Sequence, residues 1–378
     1  METANITGLR RRRGYRAAGC AVLVSAVLAV SAAPAHAEDG GHSKVTVTQT
    51  NLVANRAGFG AVIVDPDLVN AWGMSKRPTS PVWVSNNHSS TSTLYKGGTA
   101  ATPTDVTKIG LTVSMAGDPT GQVANLSTGF SLNGSPALFI FATEQGQIFA
   151  WNQSAGTIAQ PMGTVAGANF KGLAEGSVGT NAFLYTADFA NGQIEVWDSS
   201  WTQVNWPGAF QVRHLPAGFA PFNAQVLTDS SGTEHVFVAY AKRNPVTGDE
   251  IAGKGLGLVA EFNTDGTFVR RFRSGTMNAP WGLAYAPASW GSAAGDLLVG
   301  QFGDGRIEMF DPWSGKHDGT VRDADGHKLT IDGLWALMAG DATSGGPDTI
   351  LFTAGPNGEA DGLYGVLTLA QRSHHEED

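Results

Sequence analysis

The sequence predicts an all-β protein, a six-bladed β-propeller closed into one ring. Three observations carry this reading. One pattern recurs six times at a spacing of about 50 residues, which suits a blade of four short strands. The strand segments are four to seven residues long, rich in Val, Ile, Phe, Tyr and Trp, and bounded by Gly, Asn and Asp. No stretch after the first forty residues holds a 3.6-residue apolar period. The 49 glycines among 378 residues follow no fixed period, so they read as turn formers and not as collagen.

The chain opens with a basic cluster, Arg10 to Arg13 and Arg16, followed by an apolar run from Ala17 to Val30. Ala35-His36-Ala37 then forms an A-x-A cleavage site, so residues 1–37 read as a signal peptide and the mature protein as secreted. The run is too short for a comfortable membrane span. Losing five arginines and one glutamate takes the formal charge from −9 to −13, which argues against nucleic-acid binding. The only cysteine, Cys20, leaves with the signal, so neither a disulfide nor a thiol nucleophile is expected. The expected organisation is 1–37 signal peptide, 38–370 propeller and 371–378 frayed tail.

The clearest repeats are Gly172-Leu173 through Asp188 and Asn191-Gly192 to Asp198, and Trp281-Gly282 through Gln301 and Asp304-Gly305 to Asp311. Weaker copies centre on Val82–Asn87, Phe139–Gly146, His235–Lys242 and Thr349–Gly358. Asn263-Thr-Asp-Gly266 fits a turn between outer strands, and Ala286–Ala294 has room for a helical turn. The last repeat has three strands. The alternating segment Lys44–Val53 has no earlier partner, so it is expected to pair near Gly362–Leu369 and seal the ring.

Asp67-Leu-Val-Asn70-Ala-Trp-Gly73, Ile140-Phe-Ala-Thr-Glu144-Gln-Gly146, Leu215 to Asn223, Ala279-Pro-Trp-Gly-Leu283 and Phe352 to Gly362 resemble a family of exported bacterial six-bladed propellers. The resemblance spans residues 49 to 369. More distantly the chain resembles NHL-type and gluconolactonase-like propellers. The resemblance implies the fold and export, and no activity.

Strand order gives one geometric expectation. The start of each innermost strand and the end of the next strand emerge on the same face. Asn70, Lys171, Asn223, Asn278, Asp332 and Asn125 are placed at the starts. Asn86, Asn87, His88, Glu144, Asp188, Asn191, Tyr240, Lys242, Gln301, Asp304, Asn357, Glu359 and Asp361 are placed at the ends. A ring of such oxygens suits a hard cation, calcium or magnesium. Glu144, Asp188, Asn223, Asn278 and Asp332 are therefore expected as metal ligands. Asp188, Lys171 and Tyr240 are the expected catalytic groups, with Asn86, His88, Lys242, Gln301 and Asn357 binding substrate. Neither a nucleotide nor a haem is expected. The same residue types also end strands because turns need them, and Lys171 could pair a carboxylate in place of an ion.

Asp323-Ala-Asp325-Gly326-His327 lacks the glutamate that completes a calcium loop, so it reads as a hairpin turn. Trp72, Trp281 and Trp335 are expected to wedge between blades, and Trp201, Trp206, Trp290 and Trp313 to offer an exposed platform for a glycan. Two functions stay open: a metal-assisted hydrolase or lactonase at the axial mouth, and a non-catalytic propeller binding carbohydrate or peptide. A small-molecule or glycan ligand and a monomer are expected in either case, with no membrane contact after cleavage.

Overall fold

The computed structural model describes residues 45–99 and 101–370. The expected signal peptide, Lys44 and the tail lie outside the described residues. Six sheets of four or five strands, antiparallel but for one short edge strand, follow one another along the chain, and a two-stranded ribbon lies within the second blade. The innermost strands are Ala71–Ser75, Pro119–Ala124, Phe170–Val178, Phe219–Thr228, Pro280–Tyr285 and Leu334–Ala339. Each touches the innermost strands on its two sides, the sixth returning to the first, so the six blades close a ring.

Closure occurs where the alternation of the N-terminal segment placed it. Val47–Ala54 runs antiparallel to Leu363–Leu369, from Val47 opposite Leu369 to Ala54 opposite Leu363, with a bulge at Leu52. Val47, Leu52 and Val53 are fully buried, while Thr48 on the other face is exposed. A short parallel strand, Ile63–Val64, then covers the edge. Arg56 forks onto Asp361 through two contacts of 2.7 Å, and Asn55 adds a third at 3.0 Å. The Arg56 hydrogen bond, against a small opposing burial effect, holds the Asp361 carboxyl well below its ordinary range. The Asn263–Gly266 turn forms as expected, with Gly266 at φ 79°. The Ala286–Ala294 segment holds one 3-10 turn, Gly291–Ala293.

Every pairing between an innermost strand and its neighbour carries a register irregularity. At this level four innermost strands place a glycine against the next blade. A Cβ on Gly121 would stand 2.3 Å from the Leu173 nitrogen, and one on Gly172 2.6 Å from the Asn223 Cα. Gly73 and Gly282 meet the Thr120 and Trp335 carbonyls equally closely. Only a residue without a Cβ permits this approach of neighbouring backbones around the axis. Between blades the space is filled by aromatic layers. Trp83 stacks on Phe139 at 4.1 Å between the first two blades, and Tyr95 on Tyr364 at 5.4 Å between the first and the last.

The closing strand is a core element in this arrangement. Leu52→Ala should lower stability by about 2–5 kcal/mol, the usual cost of emptying a buried leucine site. Thr48→Ala should stay within about 0.5 kcal/mol. Urea unfolding of both variants checks this, and a loss below 1 kcal/mol for Leu52→Ala would contradict it.

Candidate functional site

The residue preceding or occupying the glycine level of each innermost strand is Trp72, Thr120, Lys171, Phe222, Trp281 or Trp335. Five of these six build one cluster at the axis. Trp72 and Trp335 stack at 3.7 Å, Trp281 meets both edge-on at 6.5 and 5.9 Å, and Phe222 lies 5.8 Å from Trp335. Phe302 stacks on the other side of Trp335 at 4.0 Å. The three tryptophans therefore face one another across the axis and do not wedge between blades. Their size and flat faces fill a ring of six converging strands better than aliphatic residues would.

Lys171 takes the place of an aromatic in this ring. Its Nζ stands 5.0 Å above the Trp72 ring and donates to Glu144 Oε1 at 2.5 Å. Its side chain is 5% exposed. From Glu144 a chain of hydrogen bonds runs around the mouth. Asn87 Nδ2 donates to Glu144 Oε2 at 3.3 Å. Asn70 Nδ2 donates to Asn87 Oδ1 at 3.2 Å and to Glu359 Oε2 at 2.7 Å. Asn70 Oδ1 accepts from the Trp335 indole at 2.8 Å. A third carboxylate, Glu250, reaches the same lysine from the 243–256 loop of the fourth blade. That loop turns back as a small hairpin, with Arg243 opposite Glu250, and Gly253 N is pinned to Asn278 Oδ1 at 2.6 Å.

The electrostatics follow from this packing. Burial pulls Lys171 down, yet the charges of Glu144 and Glu250 and the Glu144 hydrogen bond outweigh it and hold the ammonium above its ordinary range. Burial raises Glu250 and Glu359 above the ordinary glutamate range, against the pull of Lys171 on both and of the Asn70 amide on Glu359. Glu250 Oε2 is enclosed and accepts no hydrogen bond among the described residues. The mouth thus offers one fixed cation, its hydrogen-bonded partner Glu144 and two carboxyls that hold protons longer than usual.

The other expected site residues are engaged elsewhere. Asp188 is fully buried and accepts from the Asn169 and Asn191 backbone amides and the Asn191 side chain, at 3.2, 3.1 and 2.7 Å. It ties a turn. Asn223 donates to the Trp281 carbonyl at 2.8 Å, joining the fourth and fifth blades. Asn278 clamps the 243–256 loop, and its own amide donates to Gln301 Oε1 at 2.5 Å. Asp332 is exposed and accepts from Asn357 N at 2.8 Å, while the Asn357 amide donates to Asp361. Asn86 donates to Thr91 and Thr93. His88 is exposed at the rim, close enough for its charge to act on Glu359. Lys242 is half-buried beside the loop that carries Glu250. Tyr240 faces a cleft between the third and fourth blades. Asn125 follows its innermost strand instead of starting it, and its amide donates to the Ala137 carbonyl at 2.8 Å.

Among the described residues Glu144, Asp188 and Asp332 form no three-carboxylate cluster, and the expected ligands Asn223 and Asn278 are hydrogen-bonded to other partners. Among the described residues, the one group of three acidic or histidine ligand atoms within 4.8 Å is Asp323, Asp325 and His327. Those residues form a hairpin turn, with Asp323 Oδ1 accepting from the Asp325 and His327 amides at 3.0 and 2.9 Å. At the axial mouth the Lys171 ammonium already supplies the positive charge a cation would bring, so the donor set there does not fit a resident ion. The expected tryptophan platform is also dispersed. Trp290 is 2% exposed, Trp201 and Trp206 are partly covered, and Trp313 alone is well exposed at 66%.

Glu250, Glu359 and Asn87 complete the site. Asn87 and Glu359 are among the strand-end residues expected at the mouth, without a role assigned to them. Glu250 carries no signal in the sequence, because it is brought in by the fold of a long loop. On the opposite face the axis opens into a cavity of about 440 Å³ beneath Trp281, lined in part by Gln122, Glu175 and Met338. Burial pushes the Glu175 carboxyl up to about 7, and the Ser127 hydrogen bond resists.

Comparison with known proteins shows two relatives over most of the chain. The uncharacterised protein R648 of Acanthamoeba polyphaga mimivirus is 33% identical over 352 residues, covering 88% of this chain and 83% of its own. The uncharacterised protein L690 of the same virus is 30% identical over 348 residues, covering 88% of each. No family model matches. Among solved structures, an α-L-arabinofuranosidase of Fusarium graminearum with an iminosugar inhibitor aligns with a TM-score of 0.52 at 9% identity, over 85% of this chain and 97% of that one. That likeness concerns the fold alone.

Two outcomes follow from the buried charges. Lys171→Met should cost about 3 kcal/mol at pH 8, since breaking a buried pair strands its partner. The cost should shrink toward pH 4.5. Glu250 and Glu359 bind protons more tightly folded than unfolded, so their contribution falls as pH rises above 4.5, and falls further without the lysine. By the same sign Glu175→Gln should gain stability over the parent as pH rises from 4.5 to 7. Urea unfolding at pH 5 and pH 8 checks both, and pH-independent differences would contradict them.

Proposed function

We propose that this chain, which belongs to one family with the mimivirus proteins R648 and L690, binds a small hydroxylated molecule at its axial mouth. The observation that carries this reading is the Glu250 carboxylate oxygen, enclosed and unpaired beside the Lys171–Glu144 pair. Buried oxygens of that kind normally have a partner. A polyol or sugar lactone presents hydroxyl donors to Glu250 and Glu359 and acceptor oxygens to Lys171, matching both signs at once. The aromatic cluster below the lysine closes the channel, so the mouth is a dead end suited to a small ligand. The export signal supports action outside the cell, after removal of residues 1–37. The solved arabinofuranosidases, one of them complexed with arabinobiose, share the fold, so the ligand class rests on this chain's own residues.

Calorimetric titration with glucono-δ-lactone, galactono-lactone and the matching alditols tests the reading. Binding is expected for at least one of them, weakened at least tenfold by Glu359→Gln and by Glu250→Gln, and unchanged by EDTA. Absence of binding at millimolar concentration, or equal affinity in both variants, would overturn it.

A second reading is hydrolysis of such a lactone. It is favoured by two carboxyls raised above the ordinary range beside a third, Glu144, bonded to the lysine, a grouping that general acid–base chemistry uses. In this reading water adds to the lactone carbonyl carbon and passes a proton to the Glu144 carboxylate, Lys171 stabilises charge on the carbonyl oxygen, and the ring C–O bond breaks as Glu359 donates a proton to the leaving oxygen. Ring opening should then fall at least a hundredfold in Glu359→Gln. A calcium- or magnesium-assisted version would instead lose its activity on chelation.

A further inference from the structure

A second cavity, of about 630 Å³, opens on the flank of the ring between the third and fourth blades. It lies between the outer strands Gln193–Asp198 and Gln203–Val204, the connecting 205–215 segment, and Tyr240. The axial mouth shares none of these groups. We propose that this cleft binds a segment of oligosaccharide, separately from the small-molecule site at the axis.

The side chains argue for that chemistry. Glu195 is 7% exposed and is held from two sides, by Gln193 Nε2 at 2.7 Å and by Gln203 Nε2. Both glutamine amides are thereby oriented, and their carbonyl oxygens make no hydrogen bond among the described residues. Asn205 adds a further amide on the connecting segment. Planar amides fixed by a carboxylate give directed acceptors and donors for vicinal hydroxyls. Trp206 is held edge-on against Phe183 at 4.8 Å and Tyr185 at 6.3 Å, and it stays partly exposed to the cleft. A fixed, half-covered indole is suited to the apolar face of a pyranose or furanose ring. Tyr240, almost fully buried, is among the residues lining the cleft, and its hydroxyl makes no hydrogen bond among the described residues. Burial raises that phenol above its ordinary range, so it stays a neutral donor. The volume exceeds what one monosaccharide needs, and one charge held by two amides disfavours an anionic ligand, which points to a neutral oligosaccharide.

Calorimetric titration of the mature chain with cellotriose, chitotriose and arabinotriose tests the proposal. At least one trisaccharide should bind. Tyr240→Phe should weaken it about tenfold by removing one hydrogen bond, and Trp206→Ala more strongly. Trp313→Ala, which removes an exposed indole on the fifth blade, should leave it unchanged. Tyr240→Phe keeps the buried ring, so its melting temperature should match the parent and separate lost binding from lost folding. Failure of all three sugars to bind at 10 mM, or full affinity in Tyr240→Phe, would overturn the proposal. The lactone titrations at the axis are read with Glu250 and Glu359 variants, so either site can fail alone.

Discussion

A single buried lysine sets the constraint from which the mouth of this propeller is built. Six innermost strands converge on the axis, and at one level five of them supply Trp, Phe or Lys side chains that meet there. Lys171 is the charged member, resting on Trp72 and bonded to Glu144. Taking an ammonium out of water is costly, and only close opposite charge and hydrogen bonding offset that cost. Glu144, Glu250 and Glu359 are the offset, and they come from the second, fourth and sixth blades. The asparagines between them, Asn70 and Asn87, belong to the turns around the first blade. One charge thus organises side chains from around the whole ring.

The same requirement connects architecture to chemistry. A ring of strands leaves a channel, and the stack of Trp72, Trp335 and Phe302 closes it from within. The charged mouth lies on one side of this stack and a cavity lined in part by Glu175 on the other. The desolvation that makes Lys171 expensive also raises Glu250 and Glu359, so the mouth holds two carboxyls that keep their protons longer than usual beside the Lys171–Glu144 pair. A polar site of this kind binds by matched hydrogen bonds more than by apolar area.

The ring, its six blades and its closing strand were legible in the sequence because they rest on period-two alternation and turn chemistry. Val47 to Ala54 alternates, lacks an earlier partner and pairs where a four-stranded last blade requires it. The site was legible only in part, and the bulges explain why. Each innermost strand slips register near its start, which turns Asn223 toward the next blade, while Asn278, ahead of its strand, is taken up as the clamp of the 243–256 loop. Lys171 and Glu144 survive that slip, Lys171 because it lies at the bulge itself. Asp188 and Asp332 were placed at the mouth by strand order, and backbone amides claim both. Glu250 depends on a loop whose path is set by Asn278 and by pairing with Arg243, neither of which leaves a pattern along the chain.

The central claim is that Lys171 remains a buried ammonium held by glutamates. Side-chain nitrogen NMR of the lysines, with Lys171 assigned by its absence in Lys171→Met, tests it directly through a pH titration. The account predicts a protected ammonium that is still charged above pH 10.5, the ordinary lysine value. A Lys171 signal that titrates below pH 9, as burial without partners would produce, would contradict it.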